Sequence, residues 1–492
     1  MLILWTTEAA AADGEDEGGS TSEGHVHDNT AHCENATSTT NDDHKSLFPM
    51  NGYDVGGTIL ALIGAAFANA GGAGGGGIFV PLLILLVQFT PHGAIPLSKA
   101  MIFGGALTFV GITFRKRHPD VDKPLIDYDI ALMFEPMVLC GTTVGVLLNR
   151  VCPSWVLLTM LEILLVVTVY RTFKKGVKKY KNETVSLAKR RDIESTTNGS
   201  ATDAASAAIE LTAVGGEDED EEDGLSKTSD KSPLTPVDDD GSVKNQELQE
   251  ILAREARIVP LEKIVLISAV WVLIMILALM RGGHGAASIV GIESCSAGYW
   301  ILTFLVIPMC VGVTLWVGRR LRREHREKVR LGYEFQEGMV QWDARNSIVY
   351  PLCCFFAGCA AGLLGIGGGL VLGPMLLEMN VRAEVSAATS SLMVLFTASC
   401  TSIQFAILGQ LDIEYALWLG AFTSAGAVVG VLAVQYAVKK LGRPSAIILS
   451  LATVILASAI LIPSFAIPDL ISDVNEEGSD ALKFHSFCDC AG

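Results

Sequence analysis

Three signatures are missing from this 492-residue sequence, and each absence narrows what the protein does. No glycine run is followed by Gly-Lys-Ser/Thr, so a phosphate-cradling P-loop is excluded and nothing indicates use of ATP. The 11 cysteines include no pair of Cys-x-x-Cys motifs, and Cys488-Asp489-Cys490 stands too isolated to read as a metal site. Cys140, Cys310, Cys353, Cys354, Cys359 and Cys400 lie in apolar segments, where a thiol behaves as a small hydrophobic residue. The apolar start Met1–Trp5, followed by Ala9 to Ala12, faintly resembles a signal peptide, with no basic region and a short apolar core, and leaves that question open. A matched nucleophile and base are lacking too, which argues against an intramembrane enzyme; no cofactor, metal or nucleic acid is implied.

Acidity is the misleading feature. The formal charge is −17, but residues 1–50 alone contribute −9 and residues 201–250 contribute −12, so the rest of the chain is slightly basic. Such charged, weakly hydrophobic stretches read as disordered tails and linkers, and they say nothing direct about a ligand. His25, His27, His32 and His44 in the first of them are open to two readings, a transition-metal binder or a solvated tail, and the tail is the simpler.

What the chain has in abundance is apolar length. Half its residues are hydrophobic and its mean hydropathy is +0.42, too high for a soluble globule. Apolar segments fall near 54–70, 78–90, 96–114, 128–148 and 153–171, then 261–281 and 299–318, then 348–366, 370–379, 385–408, 413–437 and 444–467. Most approach the roughly 20 residues that a membrane helix needs. Segment 370–379 is too short to cross and reads, with the glycines before it, as a re-entrant or broken element.

Glycine is doubled in a pattern. Gly71-Gly72-Ala73-Gly74-Gly75-Gly76-Gly77 leads to Pro81, and Gly365-Ile366-Gly367-Gly368-Gly369 leads to Pro374. A shift of 293 residues superposes Gly74–Gly76 on Gly367–Gly369, Pro81 on Pro374 and Ser98 on Ser391. A shift of 285 then carries Asp127 onto Asp412, and Gly141 and Gly145 onto Gly426 and Gly430. This is an internal duplication. Basic residues favour the cytoplasmic side. Arg115-Lys116-Arg117, the cluster Arg171–Arg191, Arg319–Arg323 and Lys439-Lys440-Arg443 all fall on one side, which places the amino terminus outside. Asn35 is then a glycosylation candidate. Seven crossings separate the repeat starts, an odd number, so the repeats are expected to be inverted. Helix breaks in matching positions of two inverted repeats point to a transporter's binding site.

Taken together, the doubled glycine–proline segment, the serine-bearing helix after it (Ser98; Ser390-Ser391) and the GxxxG-Val-Leu helix resemble the sulfite exporter TauE/SafE family, over roughly 54–171 and 348–467. The long acidic loop and histidine-bearing start depart from the compact bacterial pattern and look like a eukaryotic elaboration. The resemblance implies an all-α polytopic membrane helix bundle and movement of sulfite, sulfonates or related small anions.

A glycine break leaves free N–H groups at the start of the next half-helix, an end that suits an oxyanion. The candidate substrate-binding residues are therefore Gly74, Gly75, Gly76, Gly77, Gly367, Gly368 and Gly369. Ser98, Thr389, Ser390 and Ser391 are candidate hydroxyl donors, and Lys99 is the nearby cation, with Leu392 at its counterpart position. Two readings stand for the glycines, substrate contact or close helix packing. For the serines the alternative is a bond to their own helix carbonyls. Gly141/Gly145 and Gly426/Gly430 read as packing faces. Glu135 and Glu162, acids inside spans, are the candidates for proton coupling, with a structural pairing as the alternative; they align with Gly420 and Ile447.

The organisation expected is a disordered polar segment over 1–50, a first transmembrane repeat over 51–171 and a disordered cytoplasmic loop over 172–259. Two connecting transmembrane helices over 260–318, a cytoplasmic loop over 319–347, a second repeat over 348–467 and a tail over 468–492 follow. The function expected is a secondary transporter of a small sulfur-containing oxyanion in the plasma membrane or an endomembrane. The alternative is a scaffold or signalling protein on a transporter fold, binding cytoplasmic protein partners through the 172–259 loop.

Overall fold

The computed structural model describes residues 51–70, 75–118, 122–197, most of 249–343, 345–441 and a few positions between 452 and 464. These residues form helices and no strand; the one β-type pairing is an isolated bridge between Arg117 and Pro124. The elements are α1 (Gly52–Ala70), α2 (Gly76–Leu85), α3 (Pro91–Thr113), α4 (Tyr128–Val151) and α5 (Ser154–Thr197). Then come α6 (Leu261–Arg281), α7 (Ala297–Arg330), α8 (Asn346–Leu364), α9 (Gly369–Glu378), α10 (Ala383–Ile407) and α11 (Ile413–Leu441). Eight of the described helices are long and apolar enough to cross a membrane, and the protein is an integral, multi-pass membrane protein. Helices α2 and α9 are ten residues each. At 1.5 Å per residue that is about 15 Å, half a bilayer core.

The helix ends follow local chemistry. Thr90 caps α3 by accepting from the Gly93 N–H, and Pro91 fills the first position, where an amide hydrogen has no helical partner. Asp127 caps α4 through the N–H groups of Asp129 and Ile130, and Ser296 caps α7 through that of Tyr299. Two helices overrun the expected boundaries. Helix α5 continues to Thr197, so the first part of the stretch read as unstructured is helical, and α7 continues to Arg330 through the basic segment. Both extensions are rich in Lys, Arg and Glu, whose unbranched side chains favour helix once one has started.

Packing is reciprocal between the two halves. Helix α4 lies along α8, α11 lies along α1 and α3, and α3 meets α10. Glycines permit the close approach. A Cβ on Gly141 or Gly145 would overlap the Phe355 or Cys359 carbonyl of α8, and one on Gly426 or Gly430 would overlap the Leu62 or Ala66 carbonyl of α1. These four are packing faces, as their small-xxx-small spacing suggests. Polar ties reinforce the seams: Asn149 Nδ2 donates to the Leu363 carbonyl at 2.8 Å, and the Tyr415 hydroxyl to Asp54 Oδ1 at 3.1 Å. Outside, α5, α6 and α7 expose Ile163, Val166, Val265, Ile301 and Phe304, while Ser98, Lys99, Glu135 and Gln404 are buried. Apolar outside and polar within is the arrangement a lipid solvent demands.

Candidate functional site

The two glycine breaks meet. Gly75 ends the first break in the left-handed region (φ 81°) and caps α2, whose internal bonds begin with Ile78 N to Gly75 O at 2.9 Å. Gly365 ends α8 in the same region (φ 70°), a conformation that side chains rarely adopt. Between them the backbones touch: a Cβ on Gly76 would overlap the Gly367 nitrogen and sit 2.7 Å from the Ile366 carbonyl carbon. On Gly77 it would press on Leu370 and Leu165, at 3.0 and 3.3 Å. Close packing is therefore real at Gly76. Gly368, the cap of α9, is different: it is right-handed (φ −48°), and its nearest neighbour would be Leu372 of the next turn at 3.5 Å.

Helix α3 brings two polar side chains to this crossing. The Ser98 hydroxyl lies 2.7 Å from the Ile95 carbonyl and 2.8 Å from the Gly365 carbonyl, so its single hydrogen is engaged by backbone acceptors. Lys99 is fully buried, and its Nζ donates to the Ile366 carbonyl at 2.8 Å. Among the described residues no carboxylate pairs with it. An ammonium held out of water without a counter-charge costs several kcal/mol, so a neutral carbonyl alone is poor compensation.

The remaining candidates are spread along the bundle. Thr389 Oγ1 accepts the Asp127 N–H at 2.9 Å, tying α10 to the start of α4. Ser390 donates to the carbonyl of Ala387 in its own helix at 3.2 Å, and Ser391 is buried beside it. Glu135 is buried between α4 and α10: Thr397 donates to its Oε1 at 3.1 Å, and its Oε2 has no hydrogen-bond partner. Glu162 is half-buried on α5, with Oε2 unpartnered as well. Gly74 and Asn35 lie outside the described residues.

Three participants were not singled out from sequence. The carbonyl of Ile366 becomes an acceptor only because the break exposes it, and Thr397 is one of many helical threonines until Glu135 faces it. Arg281, at the end of α6, carries no signal in sequence beyond its place at the edge of a span, but it is buried.

Comparison with known proteins agrees with this architecture. The family model described as sulfite exporter TauE/SafE matches residues 58–215 and 261–462. Sulfite exporter TauE/SafE family protein 3 of Arabidopsis thaliana is 30% identical over 90% of this chain and 85% of its own length. Family proteins 1 and 5 of the same plant are 28% and 29% identical, over 82% and 84% of this chain and 81% and 83% of their own lengths. No solved structure matches.

Proposed function

Because this chain belongs to the sulfite exporter TauE/SafE family, we propose that it is a secondary transporter of a small sulfur-containing oxyanion, with its site where the two glycine breaks cross. Sulfite and simple sulfonates are the substrate class, and export by alternating access between two inverted repeats, 51–171 and 348–467, is the mode. The observation that carries this reading is Lys99, a fully buried ammonium with a single carbonyl partner at the junction of both breaks. An oxyanion supplies the charge that the protein does not. The N–H groups of Gly76, Gly77 and Gly369, which precede the first helical bonds of α2 and α9, add fixed donors for its oxygens.

The contact of Gly76 with Ile366 and Gly367 leaves the crossing closed in this conformation. An anion reaches Lys99 when the two breaks part, which is the motion that alternating access requires. Glu135 is the better of the two coupling candidates, since it lies deep between α4 and α10 and one carboxylate oxygen is unpartnered. A carboxyl in that position can carry a proton across while remaining neutral during the crossing.

The test is flux of labelled sulfite, sulfate and taurine into proteoliposomes, with and without a pH gradient. Wild type moves at least one sulfur oxyanion. Lys99→Met abolishes that flux, and Glu135→Gln removes its response to the gradient. No flux for any of these anions in correctly folded protein would overturn the transporter reading, and undiminished flux in Lys99→Met would move the site elsewhere.

A further inference from the structure

A second buried cation lies away from the glycine crossing. Arg281 ends α6, and Gly282 and Gly283 turn the chain over the end of α10, where a Cβ on Gly283 would press on the Ile407 carbonyl at 2.5 Å. An arginine at the end of a membrane helix ordinarily reaches for the interface. This one does not: it is 3% exposed, its guanidinium stands 5.3 Å from the Tyr299 ring centroid, and its Nε and Nη2 have no hydrogen-bond partner. Among the described residues no carboxylate forms an ion pair with it.

Arg281 lines a small cavity of about 10 Å³, the lower limit for a single water-sized occupant. Thr143 of α4, Thr303 of α7 and Gln404 of α10 complete its polar wall, against apolar Ile274, Leu277 and Val306. The threonines already donate to the Leu139 and Tyr299 carbonyls, at 3.0 and 2.8 Å. Gln404 Nε2 donates to Thr143 Oγ1 at 3.1 Å, and Gln404 Oε1 is unpartnered. What remains unused is the two charged donors of Arg281 and the Gln404 Oε1; turned over, the amide gives up its Nε2 bonds to Thr143 Oγ1 and Cys400 Sγ (3.2 Å) and presents its NH₂ where Oε1 stands.

We infer that the Arg281–Gln404 cavity binds one small inorganic anion of halide size, distinct from the transported oxyanion, which fastens α6 and α7 to α4 and α10. The volume limits the class: a monatomic anion asks the walls to give slightly, where a four-atom oxyanion would need the cavity to open. A water molecule could satisfy the hydrogen bonds but would leave the buried charge uncompensated, so charge favours the anion. The site stands independently of the Lys99 reading, because neither lysine nor glycine break contributes to it.

Purified full-length protein is titrated with chloride against gluconate at constant ionic strength, and thermal unfolding is followed. Wild type rises by several degrees in chloride and saturates, as mass action requires of a bound ligand. Arg281→Gln loses the dependence. Gln404→Glu, which seats a carboxylate beside the guanidinium, loses it too and is stable without chloride. Lys99→Met keeps it, which separates this site from the transport site. Equal stability of wild type in chloride and gluconate would show water as the occupant and overturn the inference. Should Arg281→Gln not fold, Gln404→Glu decides: chloride dependence persisting in that variant overturns the inference equally.

Discussion

The two glycine breaks are matched in sequence and unlike in structure. In the first, Gly75 is left-handed and hemmed in, its missing Cβ position 2.7 Å from Phe79 and 2.9 Å from Ala68. In the second, Gly368 at the corresponding place is right-handed and meets nothing nearer than Leu372 at 3.5 Å. The helix that follows each break differs as well. Lys99 is buried against the opposite break, whereas Leu392, its counterpart, joins the large apolar cluster around Phe134 and Met393. A duplicated segment supplies two similar frames that have diverged: both breaks share the tight contact at Gly76, the first alone is followed by a buried lysine, and Gly368 of the second, though buried, has room for a methyl group.

The largest effect expected is at the tight contact. Gly76→Ala places a methyl group inside the backbone of Ile366 and Gly367, which cannot yield as a flexible side chain would. Overpacking of this kind costs about 1–3 kcal/mol, and more where backbone must shift. Thermal unfolding in detergent should fall markedly, or the variant should fail to give a monodisperse protein. Gly76→Ala with unchanged stability would mean that the breaks are not in contact in the working protein.

The roomier glycine, Gly368, should respond in flux and not in stability. Gly368→Ala meets no obstacle and keeps an ordinary helical φ, so unfolding should stay within about 0.5 kcal/mol of wild type. Its methyl group would stand where an anion approaches the first turn of α9, so flux should drop several-fold, and Gly368→Leu should abolish it. If both variants transport normally, the second break serves packing alone and the contrast between the halves disappears.

Sequence made most of the frame legible because a membrane helix announces itself by length and apolarity. The segment expected at 128–148 is α4 at Tyr128–Val151, and the one at 413–437 is α11 at Ile413–Leu441. Glycine pairs at small-xxx-small spacing foretold two helix seams, since only a missing side chain lets carbonyls come so near. What could not be read is which residue faces which across hundreds of positions. Nothing in the sequence pairs Thr389 with the amide of Asp127, or Thr397 with Glu135, each 262 residues apart. Ser98 looked like a substrate donor, yet the turn at Gly365 presents it with a carbonyl. Arg281 was hidden by its position at the end of a span, where nothing in the sequence says that its side chain stays inside the bundle.

A third region sharpens the contrast between compensated and uncompensated charge. Outside the apolar spans, Glu255 sits between Lys328, with which it is paired, and Lys123, whose Nζ is 2.6 Å from its Oε2. Burial pushes the Glu255 carboxyl up, but the two ammonium groups outweigh it and hold the group below its ordinary value of 4.5. Burial likewise pulls Lys123 down, and the charge of Glu255 more than reverses it, to above 10.5. A depressed carboxyl stabilises the fold above its unfolded pKa and loses that contribution as pH falls through the lower folded value. A raised lysine stabilises below its unfolded pKa and loses that contribution as pH rises through the higher folded one. The pair should therefore hold steady through the neutral range. Glu255→Gln should lower stability by about 1 kcal/mol there, with the gap to wild type closing as pH falls below the ordinary carboxyl value of 4.5. Flux through the Lys99 site should be unchanged, because this charge is already neutralised by its neighbours. Loss of sulfur-anion flux in a stable Glu255→Gln protein would instead tie this charge cluster to transport and blur the division between structural ion pairs and the lone buried lysine.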